Sequence, residues 1–126
     1  MVMRRLYECL ELSYTAPGAT RPLYAAFLDE VGRGAAAELF RESAAHWSAL
    51  AARAEEHAGE YGALCERRML LTMVGADASE VDAAIAALPP VPDPGEDGRA
   101  ALFEELAALV DAAREAEERA VPALTA

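Results

Sequence analysis

Hydrophobic and polar positions recur along this chain at helical spacing, and they divide it into a series of amphipathic segments. After Thr20, the residues Tyr24, Phe27, Leu28 and Val31 fall at i, i+3, i+4 and i+7. That pattern predicts a helix with Thr20 as N-cap, Pro22 in the first turn, these four residues as the core face, and Gly32 and Gly34 at its end. From Ala35 to His57, Leu39, Ser43, Trp47, Leu50 and Ala54 share one face with Phe40 at its edge, and Glu38, Arg41, Glu42, Arg53 and Glu56 share the other. This is the clearest amphipathic helix in the chain. Gly59 and Gly62 then break or kink the helix. Between Ala63 and Val74, Leu64, Met69, Leu70, Leu71 and Met73 point in most directions, which predicts a central helix stopped by Gly75.

Asp77 and Glu80 have capping-box spacing, with Asp in place of the usual Ser or Thr. Val81, Ile85 and Leu88 then predict a short helix. Residues 89–98 hold four Pro and two Gly, so they form a linker that is neither helix nor central strand. The last helix opens near Asp97 or Gly98 and runs to about Ala120, limited by Pro122. Leu102, Leu106, Leu109, Val110, Ala113 and Ala120 form its stripe, and Glu104, Asp111, Arg114, Glu115 and Glu118 face solvent. In the N-terminal segment, residues 1–19, Leu6, Leu10 and Tyr14 fit a helix, while Leu10 to Thr15 also fits an extended conformation. No strict alternation is long enough for a strand. The expectation is all-α: one domain over 1–126, an antiparallel bundle of four to five helices with a Pro-rich connection before the last.

Composition narrows the function classes. The chain has 22 acidic and 11 basic residues, every basic one Arg, for a net charge of −11. Such a surplus opposes binding to phosphate backbones and to anionic membrane surfaces, so neither nucleic acid nor membrane is an expected partner. No apolar run reaches spanning length, and Glu8 and Glu11 interrupt any signal-peptide core after Arg4 and Arg5. A cytoplasmic location is expected, with Cys9 and Cys65 as reduced, buried thiols rather than a disulfide. No CxxC, GxGxxG, Walker A, HExxH or GxSxG pattern occurs, so no cofactor and no metal is expected.

The candidate chemistry is sparse. His46 and His57 lie three turns apart on one helix, ~16 Å, too far to share a metal. Neither has a Glu three residues before it, as di-iron bundles require. Glu42 and His46 are placed to pair on the surface. His46 is a candidate general acid or base set against the role of a core-edge residue. Glu117 falls within the apolar stripe of the last helix, and a carboxylate there must be paired, hydrated or neutralised. It is either a pocket acid or a partner for Arg21, or else it is solvated at a frayed end, which the common fraying of helix termini favours. Arg21 opens a helix at a Gly-Ala-Thr loop and could clamp a carboxylate or phosphate. Tyr14, Tyr24 and Trp47 complete the candidate ligand-binding set, although Trp47, Phe27 and Phe40 suit a core equally well. Cys9 has no local signature of a nucleophile.

The stretch Ser13-Tyr14-Thr15-Ala16-Pro17-Gly18-Ala19-Thr20-Arg21-Pro22-Leu23-Tyr24-Ala25-Ala26-Phe27-Leu28-Asp29-Glu30 resembles the start of the helical region in proteins like butirosin biosynthesis protein H. There a Gly-containing loop leads to an Arg, a Tyr and a Phe-Leu-x-Glu helix, places taken here by Gly18, Arg21, Tyr24, Phe27, Leu28 and Glu30. The segment around Trp47-Ser48-Ala49-Leu50-Ala51 is similar to that family's next helix, and Glu117 to Leu124 to its final one. The resemblance covers about two-thirds of the chain, with residues 60–97 departing from it. In that family the helical region follows a cysteine-peptidase-like domain, and the member that names it transfers an acyl group from a carrier protein to an aminoglycoside. This chain has room for the helical part alone. The resemblance therefore implies an auxiliary helical protein of natural-product biosynthesis. It would bind a partner enzyme, such as a cysteine-peptidase-like acyltransferase, or hold its substrate. The alternative is a small cyclase- or transferase-like enzyme that takes a small-molecule intermediate into an interhelical pocket of Tyr14, Arg21, Tyr24, His46 and Trp47. A homodimer through the Ala-rich faces is a third reading.

Overall fold

Residues 34–73 form the spine of the molecule, two helical stretches that meet at a kink at Gly59. The computed structural model describes residues 2–12, 16–90 and 92–125. Within them lie α1 (Val2–Glu11), α2 (Pro17–Glu30), α3 (Gly34–Met73), α4 (Ser79–Ala87) and α5 (Gly95–Thr125), and no strand. This is the expected all-α bundle. Each of the other four helices packs against α3. α1 and α2 follow one another along one side of α3, and α5 lies along another, all antiparallel to it. The pairings Glu42–Arg119, Ser43–Glu117 and Arg53–Glu105 fix the direction of α5. Among the described residues, α2 and α5 make no close backbone approach to each other.

The core has two parts. Leu10, Leu50, Ala51, Leu102 and Leu106 form one, with Leu6, Tyr7 and Trp47 against it. Ala25, Leu28, Ala36 and Ala37 form the other, with Phe40 and Leu124 against it. Ala44, Ala54, Ala113, Ala116 and Ala120 are also buried. Small side chains let helix axes come close, toward the ~8 Å lower end of usual packing. These buried alanines mark where α2 and α5 sit closest to α3, while others, such as Ala45, Ala49, Ala107 and Ala108, are exposed.

Several expected details change. α2 begins at Pro17, so Thr20 is no N-cap; its hydroxyl donates to the carbonyl of Ala16 inside the helix. The core face of α2 is Ala25 and Leu28, whereas Tyr24, Phe27 and Val31 are exposed. The helical stretch that follows the expected break at Gly59 includes residues 63–73, but it is not central: Leu70, Met73 and Val74 stand in solvent. The capping box expected at Asp77 does not form: Ala78 is the N-cap of α4 with no side-chain cap, and Asp77, one residue earlier, accepts from the backbone N–H and the hydroxyl of Ser79 in a local turn. α5 starts at Gly95 and passes through Pro122 to Thr125.

The kink lies at Gly59, where φ is 54° and ψ is −147°. Only glycine adopts that region without strain, so the helix bends here by sequence rather than by external force. Arg4 of α1 spans the bend. Its side chain, almost wholly buried, passes Gly62 and forms ion pairs with Glu66 at 3.2 Å and, on the other side of the kink, with Glu55 at 3.9 Å. Glu8 accepts from its Nε at 3.3 Å, and the guanidinium stacks 4.9 Å from the centre of the Tyr7 ring. No helix among the described residues is long and apolar enough to cross a membrane.

Candidate functional site

The polar candidates meet where α2 crosses α3. Pro17 supplies the first helical position of α2, after Ala16 in a left-handed conformation. Gly18 is buried against the end of α1. A Cβ there would sit 2.2 Å from a carboxylate oxygen of Glu11 and 2.9 Å from Ser48 Oγ. The missing side chain lets the start of α2 seat directly on α3. One turn on, Arg21 lies on the same inward face as Ala25 and Leu28.

Glu117 reaches the same point from α5. Arg21 Nε donates to its Oε1 at 2.9 Å and the guanidinium Nη2 donates to Oε2 at 3.3 Å, the two-pronged geometry that suits arginine and carboxylate. Ser43 Oγ, fully buried on α3, donates to Oε1 at 2.7 Å, and Trp47 Nε1 approaches the same oxygen at 3.5 Å. Burial pushes the Glu117 carboxyl up. The hydrogen bonds from Arg21 and Ser43 and the charge of Arg21 outweigh it, holding the carboxyl below the ordinary glutamate range. Glu117 is therefore ionised and anchored. Of the two sequence readings, the partner for Arg21 is the one observed, and the frayed, solvated Glu117 is not.

The remaining candidates lie elsewhere. Tyr14 falls outside the described residues. Tyr24 leaves the network and faces outward, stacked on Phe27 at 6.1 Å and edge-on to Phe40 at 4.7 Å. His46 is half-buried on α3, and the hydrogen bonds that hold Glu117 do not include it. Glu42, expected to pair with His46, is bound instead by Arg119 of α5. His57 is exposed beside the kink. With Tyr61, Leu88, Pro89 and Pro90 it lines an open cleft of about 220 Å³. Cys9 and Cys65 are free and half-buried. Cys65 is hydrogen-bonded to Tyr61, which pushes the Tyr61 hydroxyl up. No group of His, Cys, Asp or Glu among the described residues is arranged to hold a metal ion.

Sequence reasoning missed two buried polar residues, Ser43 in this site and Arg4 at the kink. Ser43 was visible only as one polar residue in an apolar stripe, which is the signal for a buried hydrogen-bonding partner. Arg4 had no signal, because its partners Glu55 and Glu66 come to it only through the packing of α1 across the kink in α3. Comparisons with protein families, with curated proteins and with solved structures find no match to this chain.

Proposed function

We propose that this chain is an auxiliary helical protein of a natural-product biosynthetic pathway, working by binding a partner enzyme rather than by catalysis. One contrast carries the reading. Arg21, Glu117 and Ser43 are engaged with one another, while large apolar side chains stand in solvent: Leu23, Tyr24, Phe27 and Val31 on α2, and Leu70, Met73 and Val74 at the end of α3. A saturated ion pair offers a substrate little, whereas clustered exposed apolar residues are what a docking surface needs. The pathway rests on the resemblance of residues 13–30 to the helical region of butirosin biosynthesis protein H-like proteins. The partner that fits it is a cysteine-peptidase-like acyltransferase.

The test is isothermal titration of the purified chain with the acyltransferase encoded nearest to its gene. Saturable binding is expected, lost when Met73→Asp and Val74→Asp are combined or when Leu23→Arg is made. Absence of binding, or binding that both variants leave intact, contradicts the reading.

A further inference from the structure

Beyond the kink, the last part of α3 is covered on two flanks and bare between them. Glu66 pairs with Arg4 of α1, and Arg68 pairs with Asp82 of α4. At ~100° per residue these two positions lie to either side of Arg67. The bare side between them holds Glu60, Ala63, Arg67, Leu70 and, at the C-cap, Val74, all exposed. Their spacings alternate between three and four residues, which keeps them in one row ~21 Å long.

Arg67 stands out in that row. Among the described residues, Arg33 and Arg67 are the arginines without an ion pair, in a chain with 22 acidic and 11 basic residues. Arg33 lies in the turn before α3, whereas Arg67 lies within the helix. The cause is local. The residues three and four places to either side of Arg67 are Ala63, Leu64, Leu70 and Leu71, and none of their side chains accepts a hydrogen bond. Other exposed arginines have an acid at such a place: Arg41 has Glu38 and Arg114 has Glu118. An unpaired guanidinium set among exposed apolar side chains suits an interface anchor. Arginine is enriched among the residues that dominate binding, its stem covers apolar surface, and its head takes a carboxylate in two-pronged fashion.

Glu60 supplies a second charge. It lies seven residues before Arg67, two turns or ~10 Å away and nearly in line with it. Ala63 between them leaves room for a second helix to come close. Leu70 and Val74, 54% and 78% exposed, continue the row as apolar contacts. From the kink outward the row therefore runs negative, small, positive, apolar, apolar. A complementary helix carries a cation and a carboxylate two turns apart on an otherwise apolar side. The net charge of −11 further favours a partner whose surrounding surface is basic.

We propose that this row docks an amphipathic helix of the partner enzyme, whose carboxylate meets Arg67 and whose cation meets Glu60. The inference rests on the reading that the chain works by binding, and it names what the α3 surface in that reading recognises. The probe is a fluorescein-labelled helical peptide of about 18 residues, with a Leu face carrying one Arg and one Glu two turns apart. Its twin has Gln at both places. In fluorescence anisotropy with the full chain at roughly 0.05 M salt, the charged peptide should bind about tenfold tighter than the twin, and the gap should narrow at roughly 0.5 M. Arg67→Glu should abolish the gap with unchanged helicity, because the position is exposed. Arg67→Lys should keep part of it, since lysine retains the charge without the fork. Leu70→Asp should weaken both peptides. Equal binding of the two peptides, binding of neither, or an Arg67→Glu chain that keeps the preference overturns the proposal. An acyltransferase that binds the wild type and Arg67→Glu alike overturns the docking mode alone. The expected peptide preference with no binding of the acyltransferase overturns the functional reading alone.

Discussion

Arg21 and Glu117 stand 96 residues apart in sequence and close a two-pronged ion pair between helices whose backbones do not touch. The pair crosses the face of α3 at Ser43, so it ties the two outer helices to the spine at one point. Removing one partner leaves the other partly buried and uncompensated. Glu117→Gln should therefore lower stability by about 1–3 kcal/mol in urea denaturation, with a midpoint shift and an unchanged slope.

The same carboxylate makes stability depend on pH. Its folded value lies below the ordinary glutamate value of 4.5, so its stabilisation is complete above that value. It is lost as pH falls through the depressed folded value, where the carboxyl protonates and the pair with Arg21 breaks. The melting temperature of the wild type should fall more steeply than that of Glu117→Gln as pH drops below the ordinary glutamate value. Parallel curves would show that Glu117 is not held ionised by this network.

Gly59 carries the kink in a conformation closed to other residues. Gly59→Ala should cost about 1–3 kcal/mol of backbone strain, or straighten α3 and pull Glu66 away from Arg4. Thermal melts detect the first outcome and small-angle scattering the second. A variant of wild-type stability and shape contradicts the assignment of the bend to this residue.

Arg4→Met removes the cation from among Glu8, Glu55 and Glu66 while keeping most of the side-chain volume. The three carboxylates then repel across the bend, and a loss of about 1–3 kcal/mol is expected. Added salt should restore part of it, because Glu55 and Glu66 remain solvent-accessible and are screened. A salt-independent loss would mean that packing against Tyr7 and Gly62, not charge, is what Arg4 supplies.

Gly18→Ala places a methyl group against Glu11 and Ser48. The buried Glu11 carboxylate oxygen, 2.2 Å away, and the Ser48 hydroxyl must both give way. Displacing them, or lifting the start of α2, should cost about 1–3 kcal/mol. Hydrogen exchange should show faster opening of residues 17–24 than in the wild type.

The helices were legible in the sequence because Leu102, Leu106, Leu50 and their neighbours repeat at helical spacing. The faces were less so. α2 has two candidate faces, and the one with the larger side chains is exposed. Ala25 gives a weak hydrophobic signal, yet beside Ala36 and Ala37 it allows the close approach that fixes the core. The apolar ring at residues 64–73 reads as a central helix by the same logic. In the fold that segment lies beyond the kink, and Leu70, Met73 and Val74 are exposed there. Pro22 and Pro122 read as a helix start and a helix end, but both are tolerated inside helices whose other bonds are intact. Glu117 was visible as a carboxylate in an apolar stripe. Its partnership with Arg21 could not be fixed, since it depends on how two non-consecutive helices dock on a third.

The claim that this chain binds rather than catalyses is tested most directly by making its polar centre inert. The combined variant Arg21→Met and Glu117→Leu replaces the ion pair with apolar side chains of similar length. Buried ion pairs are often replaced in this way without loss of fold. Titrated with the acyltransferase, the variant should keep the wild-type affinity within about twofold, since the docking residues on α2 and α3 are untouched. Loss of a function that the wild type performs, with folding and affinity intact, would place chemistry at Arg21 and Glu117 and contradict the claim.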